Sequence, residues 1–233
     1  MISARFRFAG ELNDFLTRRF RGNEFSYQFE PHQSVKHLIE AVGVPHPEIG
    51  EIRVNGKPVD FKYQVQDGDF VYVFPPVPKN ESKPEALRFV LDNHLGKLAA
   101  YLRMLGYDTL YQNDYQDETL AHITSEQNRI LLTRDRRLLM RNEVRYGYCL
   151  RSLDPLVQLK EVVRRYHLNG NSGTFQRCLR CNSPLQEVEK EEIVDRLEPL
   201  TKQYYDEFCI CPNCSRIYWQ GSHYKRMQQL IID

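Results

Sequence analysis

The chain has 233 residues, of which 41% are hydrophobic and 27% are charged, and its formal net charge is +1. This is ordinary globular composition, and it excludes a polycation that binds nucleic acid through overall charge alone. No apolar stretch reaches the roughly 20 residues of a membrane helix, and the first residues lack the apolar core and cleavage site of a secretory signal. We therefore expect a cytoplasmic protein without a membrane partner.

The first third of the chain has the pattern of a small mixed sheet with one helix. Ile2–Phe8 alternates apolar with polar or charged residues, which is the period of a half-buried strand. Ser34 precedes apolar residues at helical spacing and is expected to cap a helix. Asn55-Gly56 predicts a hairpin turn, and Phe70–Phe74 predicts a later strand. Two strands, a helix and further strands predict a β-grasp, ubiquitin-like domain.

A Pro-rich polar stretch, PPVPKNESKPEA, follows and is typical of a linker. Beyond it, short apolar runs alternate with helical patterns, which predicts a parallel α/β sheet with helices on both faces. Asp154 and Pro155 are expected to be the cap and the first residue of one of these helices. The last segment is rich in cysteine. The predicted organisation is a β-grasp domain (residues 1–75), a linker (76–87), a parallel α/β domain (88–168) and a zinc module (169–233).

Four of the six cysteines form two CxxC pairs. This spacing lets two thiolates reach one ion while nearby backbone N–H groups point at the sulfurs, and two such pairs close a tetrahedral zinc site with no open position for catalysis. The predicted ligands of a structural zinc ion are Cys178, Cys181, Cys211 and Cys214. Cys209 offers an alternative ligand, although the symmetry of the two pairs favours the quartet. Cys149, inside an apolar strand, is predicted to be a small buried hydrophobe.

Acidic residues follow two of the predicted parallel strands. Asp92 comes directly after the apolar run Phe89–Leu91, and Asp135 closely follows Ile130–Leu132. Because the carboxyl ends of parallel strands line one edge of a sheet, both are expected at one crevice, with Asp117 at a helix start. Clustered carboxylates favour a bound cation, and oxygen ligands suit Mg²⁺ or Mn²⁺, which can activate water for attack at phosphorus. Turn and capping roles are the alternative.

Basic and aromatic side chains are the candidates for RNA contacts, because guanidinium groups suit phosphates and aromatic rings stack on bases. Residues 88–170 hold 13 Lys and Arg against 10 Asp and Glu, which permits an RNA-binding face as much as an ordinary solvated surface. The predicted RNA-binding residues are Lys97, Arg103, Arg134, Arg136, Trp219, His223 and Arg226. The absence of a GxGxxG motif and of a Walker A motif argues against dinucleotide binding and against a P-loop ATPase.

Longer motifs resemble the Mut-seven C-terminal RNase family. The motifs, in the order that the family has them, are FVLDNHLGKLAAYLRMLGYDTLY, DETLAHITSEQNRILLTRDRRLL, CLRCNSPL and CPNCSRIYWQGSHYKRM. The resemblance covers about residues 88–228. It implies a PIN-like ribonuclease fold followed by a zinc ribbon. The first 75 residues resemble the ubiquitin-like domain that precedes this nuclease in many bacterial members.

The resemblance also implies a Mg²⁺- or Mn²⁺-dependent ribonuclease acting on single-stranded or structured RNA. Its acids would be Asp92 in LDNHLG, Asp117 in DETL and Asp135 in LLTRD, with Asp114 and Asp154 as candidates for a fourth. Three firm acids favour a single bound ion over two. Water activated at that ion would attack phosphorus in line and leave a 5′-phosphate and a 3′-hydroxyl.

Two other hypotheses concern binding rather than hydrolysis. A non-catalytic adaptor would bind RNA through the zinc ribbon and its basic and aromatic surface, independently of the three acids. A sulfur carrier or protein modifier resembles the β-grasp domain but ends in Gly-Gly, whereas here the strand runs into Phe74-Pro75-Pro76. The ubiquitin-like domain is therefore expected to have a protein or RNA partner. In the ribonuclease, zinc is expected to fix the segment after Cys214 beside the acids, as part of the RNA path.

Overall fold

The computed structural model describes residues 1–76, 86–168, 176–221 and 224. The chain falls into two compact units, each built from two stretches of sequence. The first unit comprises Met1–Glu85 and Asp117–Cys149, and the second comprises Ala86–Gln116 and Leu150–Asp233. The predicted α/β domain over residues 88–168 therefore contributes to both units.

The secondary structure alternates short strands and helices. The strands are β1 (Ile2–Phe8), β2 (Phe25–Phe29), β3 (Glu51–Val54), β4 (Lys57–Val59), β5 (Phe70–Phe74), β6 (Phe89–Leu91), β7 (Thr109–Leu110), β8 (Ile130–Thr133), β9 (Gly147–Cys149), β10 (Gln186–Val188), β11 (Phe208–Ile210) and β12 (Ile217–Tyr218). The α-helices are α1 (Val35–Ala41), α2 (Gly96–Met104), α3 (Asp117–Gln127), α4 (Arg136–Leu139), α5 (Pro155–Tyr166), α6 (Lys190–Ile193) and α7 (Pro199–Tyr204). In the part of the chain that the structure describes, 3₁₀ helices cover Gly10–Phe15, His46–Glu48 and Val194–Arg196. Within the described ranges, none of these helices has the length and apolar character needed to span a bilayer.

The N-terminal part of the first unit is the predicted β-grasp sheet, with the strand order β2-β1-β5-β3-β4. β1 and β5 run parallel, and the other neighbouring pairs are antiparallel. Ser34 Oγ accepts a hydrogen bond from the backbone N–H of His37 at 3.3 Å, which confirms the predicted cap of α1. Asn55 and Gly56 both have a positive φ, as a two-residue hairpin turn requires.

Each unit also contains one pair of the predicted parallel strands. β8 pairs with β9 in the first unit, and β6 pairs with β7 in the second, both in parallel. Every residue of β6, β8 and β9 is buried, as expected for strands covered on both faces. In the second unit α2 packs against α5, which begins at the predicted Asp154 cap and Pro155. The parallel sheet of the central region is therefore confirmed.

The β-grasp domain packs closely on β9 and the segment before it, within the first unit. Glu48 is completely buried, and its Oε1 accepts a hydrogen bond from the backbone N–H of Cys149 at 2.6 Å. The ring of His46 lies with Nε2 2.7 Å from the carbonyl oxygen of Val144. Because buried polar groups need partners, these contacts tie the ubiquitin-like domain to the strand that follows it by about a hundred residues in sequence.

The C-terminal part of the second unit is an antiparallel sheet with the order β10-β11-β12. It has a small core of its own, formed by Ile193, Leu197 and Phe208, with Trp219 packed against it. One CxxC pair precedes β10, and the other lies in the turn between β11 and β12. Pairing of these strands therefore brings the two cysteine pairs together.

Candidate functional site

The four predicted zinc ligands lie together in the second unit. Their sulfur atoms are all within 4.8 Å of one another. Sγ of Cys178 is 3.4 Å from Sγ of Cys214, and Sγ of Cys181 is 3.4 Å from Sγ of Cys211. Among the residues that the structure describes, this is the one group of three or more His, Cys, Asp or Glu side chains whose ligand atoms lie that close together. The sequence prediction of a four-cysteine metal site is thus supported by the geometry.

The backbone of each CxxC pair fits a metal-bound thiolate. The N–H of Cys181 points at Cys178 Sγ over 3.5 Å, and the N–H of Cys214 points at Cys211 Sγ over 3.4 Å. Such donors favour the charged form of sulfur. Four thiolates at these distances repel one another unless a cation lies between them, so the donor set fits a tetrahedral Zn²⁺ with no open position. The quartet could hold a structural metal such as zinc.

The two remaining cysteines lie outside the quartet. Cys209 is on β11, where burial raises the pKa of its thiol and the charges of Glu187 and Glu207 raise it further. These surroundings favour a neutral thiol over a metal-binding thiolate. Cys149 is 5% exposed at the end of β9, which confirms the prediction of a small buried side chain.

Arg103, predicted to bind RNA, is a buried structural residue in the second unit. It is 4% exposed, and its Nε donates to the carbonyl oxygen of Thr109 at 2.9 Å. Its Nη1 donates to the carbonyl oxygens of Leu179 and Arg180, at 2.9 and 3.1 Å, which lie inside the first CxxC pair. A buried guanidinium that is engaged with backbone carbonyl groups does not fit the predicted RNA contact of Arg103. The signal was present, because Arg103 follows the buried Ala99 by four residues and so shares its helix face.

The first cysteine pair is also held by a side-chain amide. Asn182 Oδ1 accepts from the N–H of Thr109 at 3.0 Å, and its Nδ2 donates to Asp108 Oδ1 at 2.7 Å. Burial lowers the pKa of the Arg103 guanidinium, and the negative charges of the Cys178 and Cys181 thiolates oppose that change. The metal module is therefore connected to α2 and β7 by a buried network that sequence reasoning missed.

The three predicted catalytic acids are divided between the units, with Asp92 in the second and Asp117 and Asp135 in the first. Asp92 directly follows β6 and is half-buried, and its Oδ1 accepts from the N–H of Asn93 at 2.6 Å. The fourth-acid candidates Asp114 and Asp154 are exposed in the second unit. Oδ1 of Asp154 accepts from the N–H groups of the first turn of α5, so this residue caps a helix, as the alternative interpretation held.

The two acids of the first unit are both exposed at helix starts. Asp117 is the first residue of α3. Asp135 comes two residues after the end of β8 and caps α4, with its Oδ1 accepting from the N–H of Arg137 at 2.7 Å and, more weakly, of Leu138 at 3.4 Å. A carboxylate has about four acceptor positions, so a cap leaves acceptor capacity for an ion. The catalytic roles of the three acids remain predictions.

The other predicted RNA-binding residues have different surroundings. Lys97 and Arg134 are exposed. Arg136 donates from Nη1 to the carbonyl oxygen of Phe15 at 2.8 Å, and its guanidinium lies 5.0 Å from the centre of the Phe15 ring. Arg136 therefore attaches α4 to the ubiquitin-like domain. Trp219 packs on the core of its own module, and His223 and Arg226 lie outside the described residues.

Fold and site together define a three-part chain: a β-grasp domain, a parallel α/β region and a four-cysteine metal module. The family model described as the Mut7-C RNAse domain matches residues 87–231, and the model described as Mut7-C ubiquitin matches residues 1–81. The chain belongs to the Mut7-C RNAse domain family, with the family's ubiquitin-like domain at its N-terminal side. This agrees with the resemblance seen in the sequence motifs.

Solved structures resemble about one third of the chain. One is described as molybdopterin converting factor, subunit 1, from Pyrococcus furiosus. Its sequence is 22% identical, the match covers 33% of this chain and 100% of that chain, and the TM-score is 0.27. Another is small archaeal modifier protein 1 from H. volcanii, with 15% identity, 33% and 100% coverage, and a TM-score of 0.27. No curated protein matches the chain.

Proposed function

We propose that this protein is a metal-dependent ribonuclease that hydrolyses RNA phosphodiester bonds, with Asp92, Asp117 and Asp135 as its catalytic acids. The observation that carries the proposal is the match of the RNAse domain over residues 87–231. Supporting it, Asp92 directly follows the buried parallel strand β6, and Asp135 follows β8. In open α/β sheets, ligands bind outside the carboxyl ends of such strands.

The donor chemistry of these acids suits a hard divalent cation. Three carboxylates offer oxygen ligands of the kind that Mg²⁺ and Mn²⁺ prefer. Such an ion, when bound, would supply water activation and charge stabilisation for in-line displacement at phosphorus. The backbone N–H of Asn93 holds the Asp92 carboxylate, and the N–H of Arg137 holds that of Asp135. Both acids are therefore oriented by the chain itself before any ion or substrate binds.

Exposed cations of the same domain would neutralise phosphate charge. Arg134 directly precedes Asp135, and Lys97 lies in the first turn of α2, a few residues after Asp92. Both are exposed. Arg103 and Arg136 are not expected to contact phosphate, because their guanidinium groups donate hydrogen bonds to backbone carbonyl oxygens of the protein.

The cysteine module is proposed to bind one structural Zn²⁺ and to take no part in hydrolysis, because four thiolates leave the ion no open position. The alternative of a non-catalytic RNA adaptor depended partly on Trp219 as an exposed stacking residue. Trp219 packs against Ile193, Leu197 and Phe208 of its own module, which makes the adaptor the weaker hypothesis.

The proposal is tested by RNA cleavage with Mg²⁺ or Mn²⁺, comparing the wild type with Asp92→Asn. Asparagine keeps the shape of the side chain but removes the charge that holds the cation. The matched control is Glu126→Gln, an equivalent loss of charge at an exposed position of α3. We expect Asp92→Asn to lose activity and Glu126→Gln to retain it. Equal activity in all three proteins would refute the assignment of Asp92.

A further inference from the structure

The outward face of the β-grasp sheet carries a row of aromatic and basic side chains. Along β5, aromatic residues that are partly exposed alternate with buried valines. Exposed arginines stand beside them on the neighbouring strands β1 and β3. We call this surface the Arg–aromatic face, and it consists of Arg5, Arg7, Arg53, Phe70, Tyr72 and Phe74.

Each arginine of this face lies over an aromatic ring. The distances from guanidinium Cζ to ring centre are 5.3 Å for Arg5 and Phe70, 5.3 Å for Arg7 and Tyr72, and 5.5 Å for Arg53 and Phe74. The ring centres follow one another at 6.2 Å and then 4.2 Å along β5. The three rings belong to alternate residues of β5, so they share one face of the sheet, and each has an arginine from a neighbouring strand over it.

The arginines of the face differ in whether a carboxylate neutralises their charge. Arg5 pairs with Glu24 and Arg53 pairs with Glu51, both at 2.9 Å, and the side chains of both pairs are about half exposed. Exposed ion pairs of this kind contribute little and exchange readily for a stronger anion. Arg7, beside the central Tyr72, makes no ion pair with any residue that the structure describes. It is therefore the cation of this face best placed for an external anion.

We propose that the Arg–aromatic face binds single-stranded RNA. Each nucleotide presents a flat base and a phosphate, and the face presents aromatic rings with guanidinium groups over them, a combination that can stack on bases and contact phosphates. Guanidinium groups also stack on bases and hold phosphates through forked hydrogen bonds. An acidic peptide would match the arginines but would leave the row of three rings unexplained. That the bound RNA is the substrate strand rests on the proposed ribonuclease function.

The test measures equilibrium binding of a fluorescent single-stranded oligoribonucleotide of about 16 nucleotides, long enough for a stacking platform and its flanks. The full chain is used with the Asp92→Asn background, so that cleavage does not consume the probe. Tyr72→Thr removes the central ring but keeps a residue that suits a strand. We expect it to weaken binding about 10-fold, because loss of stacking on one aromatic ring corresponds to about 5-fold to 150-fold in Kd.

Two further variants separate stacking from charge and from loss of folding. Arg7→Gln should lower the slope of log Kd against log salt by about 0.7, the value for one phosphate contact in single strands. Tyr72→Phe, which keeps the ring, should retain wild-type affinity. The control Arg18→Gln removes another exposed arginine, outside the face, and should change neither quantity. Thermal unfolding of each variant verifies that the fold is intact.

Unchanged affinity and salt slope in Tyr72→Thr and Arg7→Gln would overturn the proposal and leave the face to a protein partner with acidic groups. The two proposals fail separately. If the wild type binds RNA through this face but cleaves none, the ribonuclease is refuted while the binding surface stands. If cleavage requires Asp92 but the face variants bind normally, only the binding surface is refuted.

Discussion

Replacing Arg103 with lysine tests how the metal module is held to α2 and β7. The guanidinium donates three hydrogen bonds, to the carbonyl oxygens of Thr109, Leu179 and Arg180, from a side chain that is 4% exposed. The planar guanidinium group donates from several nitrogen atoms, whereas the lysine ammonium has one nitrogen and cannot reach all three carbonyl oxygens at once. One or two buried carbonyl groups would lose their donor, at about 1–3 kcal/mol each. We expect Arg103→Lys to lower the free energy of unfolding by about 2–4 kcal/mol.

The assay is urea unfolding of the zinc-loaded protein, together with the rate at which zinc passes to a chromogenic chelator. Zinc transfer should be faster in Arg103→Lys, because the first CxxC pair loses its support from α2. The matched control is Arg180→Lys, which changes an exposed arginine inside the same CxxC pair and should stay within about 0.5 kcal/mol of the wild type. If the two variants unfold and release zinc alike, the structural role of Arg103 is refuted.

Two further predictions concern buried and spare side chains. Glu48→Ala removes a buried acceptor and should lower the free energy of unfolding, measured in urea, by about 1–3 kcal/mol. The control Glu30→Ala, at an exposed position, should change it by no more than about 0.5 kcal/mol. Equal losses in the two variants would contradict a stabilising contact between Glu48 and Cys149. Cys211→Ser should lose bound zinc and Cys209→Ser should keep it, as measured by elemental analysis of the purified proteins. The opposite result would make Cys209 the ligand.

Features with a local cause were predicted correctly from the sequence. The Ser34 cap, the Asn55-Gly56 hairpin and the cap at Asp154 depend on a few neighbouring residues whose side chains bond their own backbone. The cysteine quartet was equally predictable, because each CxxC pair is a local turn and four thiolates are an almost complete ligand set. The strand alternation of β1 and β5 likewise follows from a two-residue period.

Features that depend on distant contacts were missed. Arg103 is buried because Leu179 and Arg180, more than seventy residues later, present carbonyl groups to it. Glu48 is buried because its carboxylate accepts from the backbone N–H of Cys149. From the sequence alone, both residues are expected to be ordinary surface charges. The distant backbone groups that form hydrogen bonds with them cannot be identified from the residues nearby.

The central claim, that the carboxylates act in RNA hydrolysis rather than in RNA binding, is tested most directly by one paired measurement on Asp135→Asn. Its single-turnover cleavage rate with Mn²⁺ and its Kd for the same RNA are compared with those of the wild type. We expect a rate at least about 100-fold lower, since loss of ion-based stabilisation is worth several kcal/mol, with Kd nearly unchanged. A wild-type cleavage rate in Asp135→Asn would show that this carboxylate takes no part in hydrolysis.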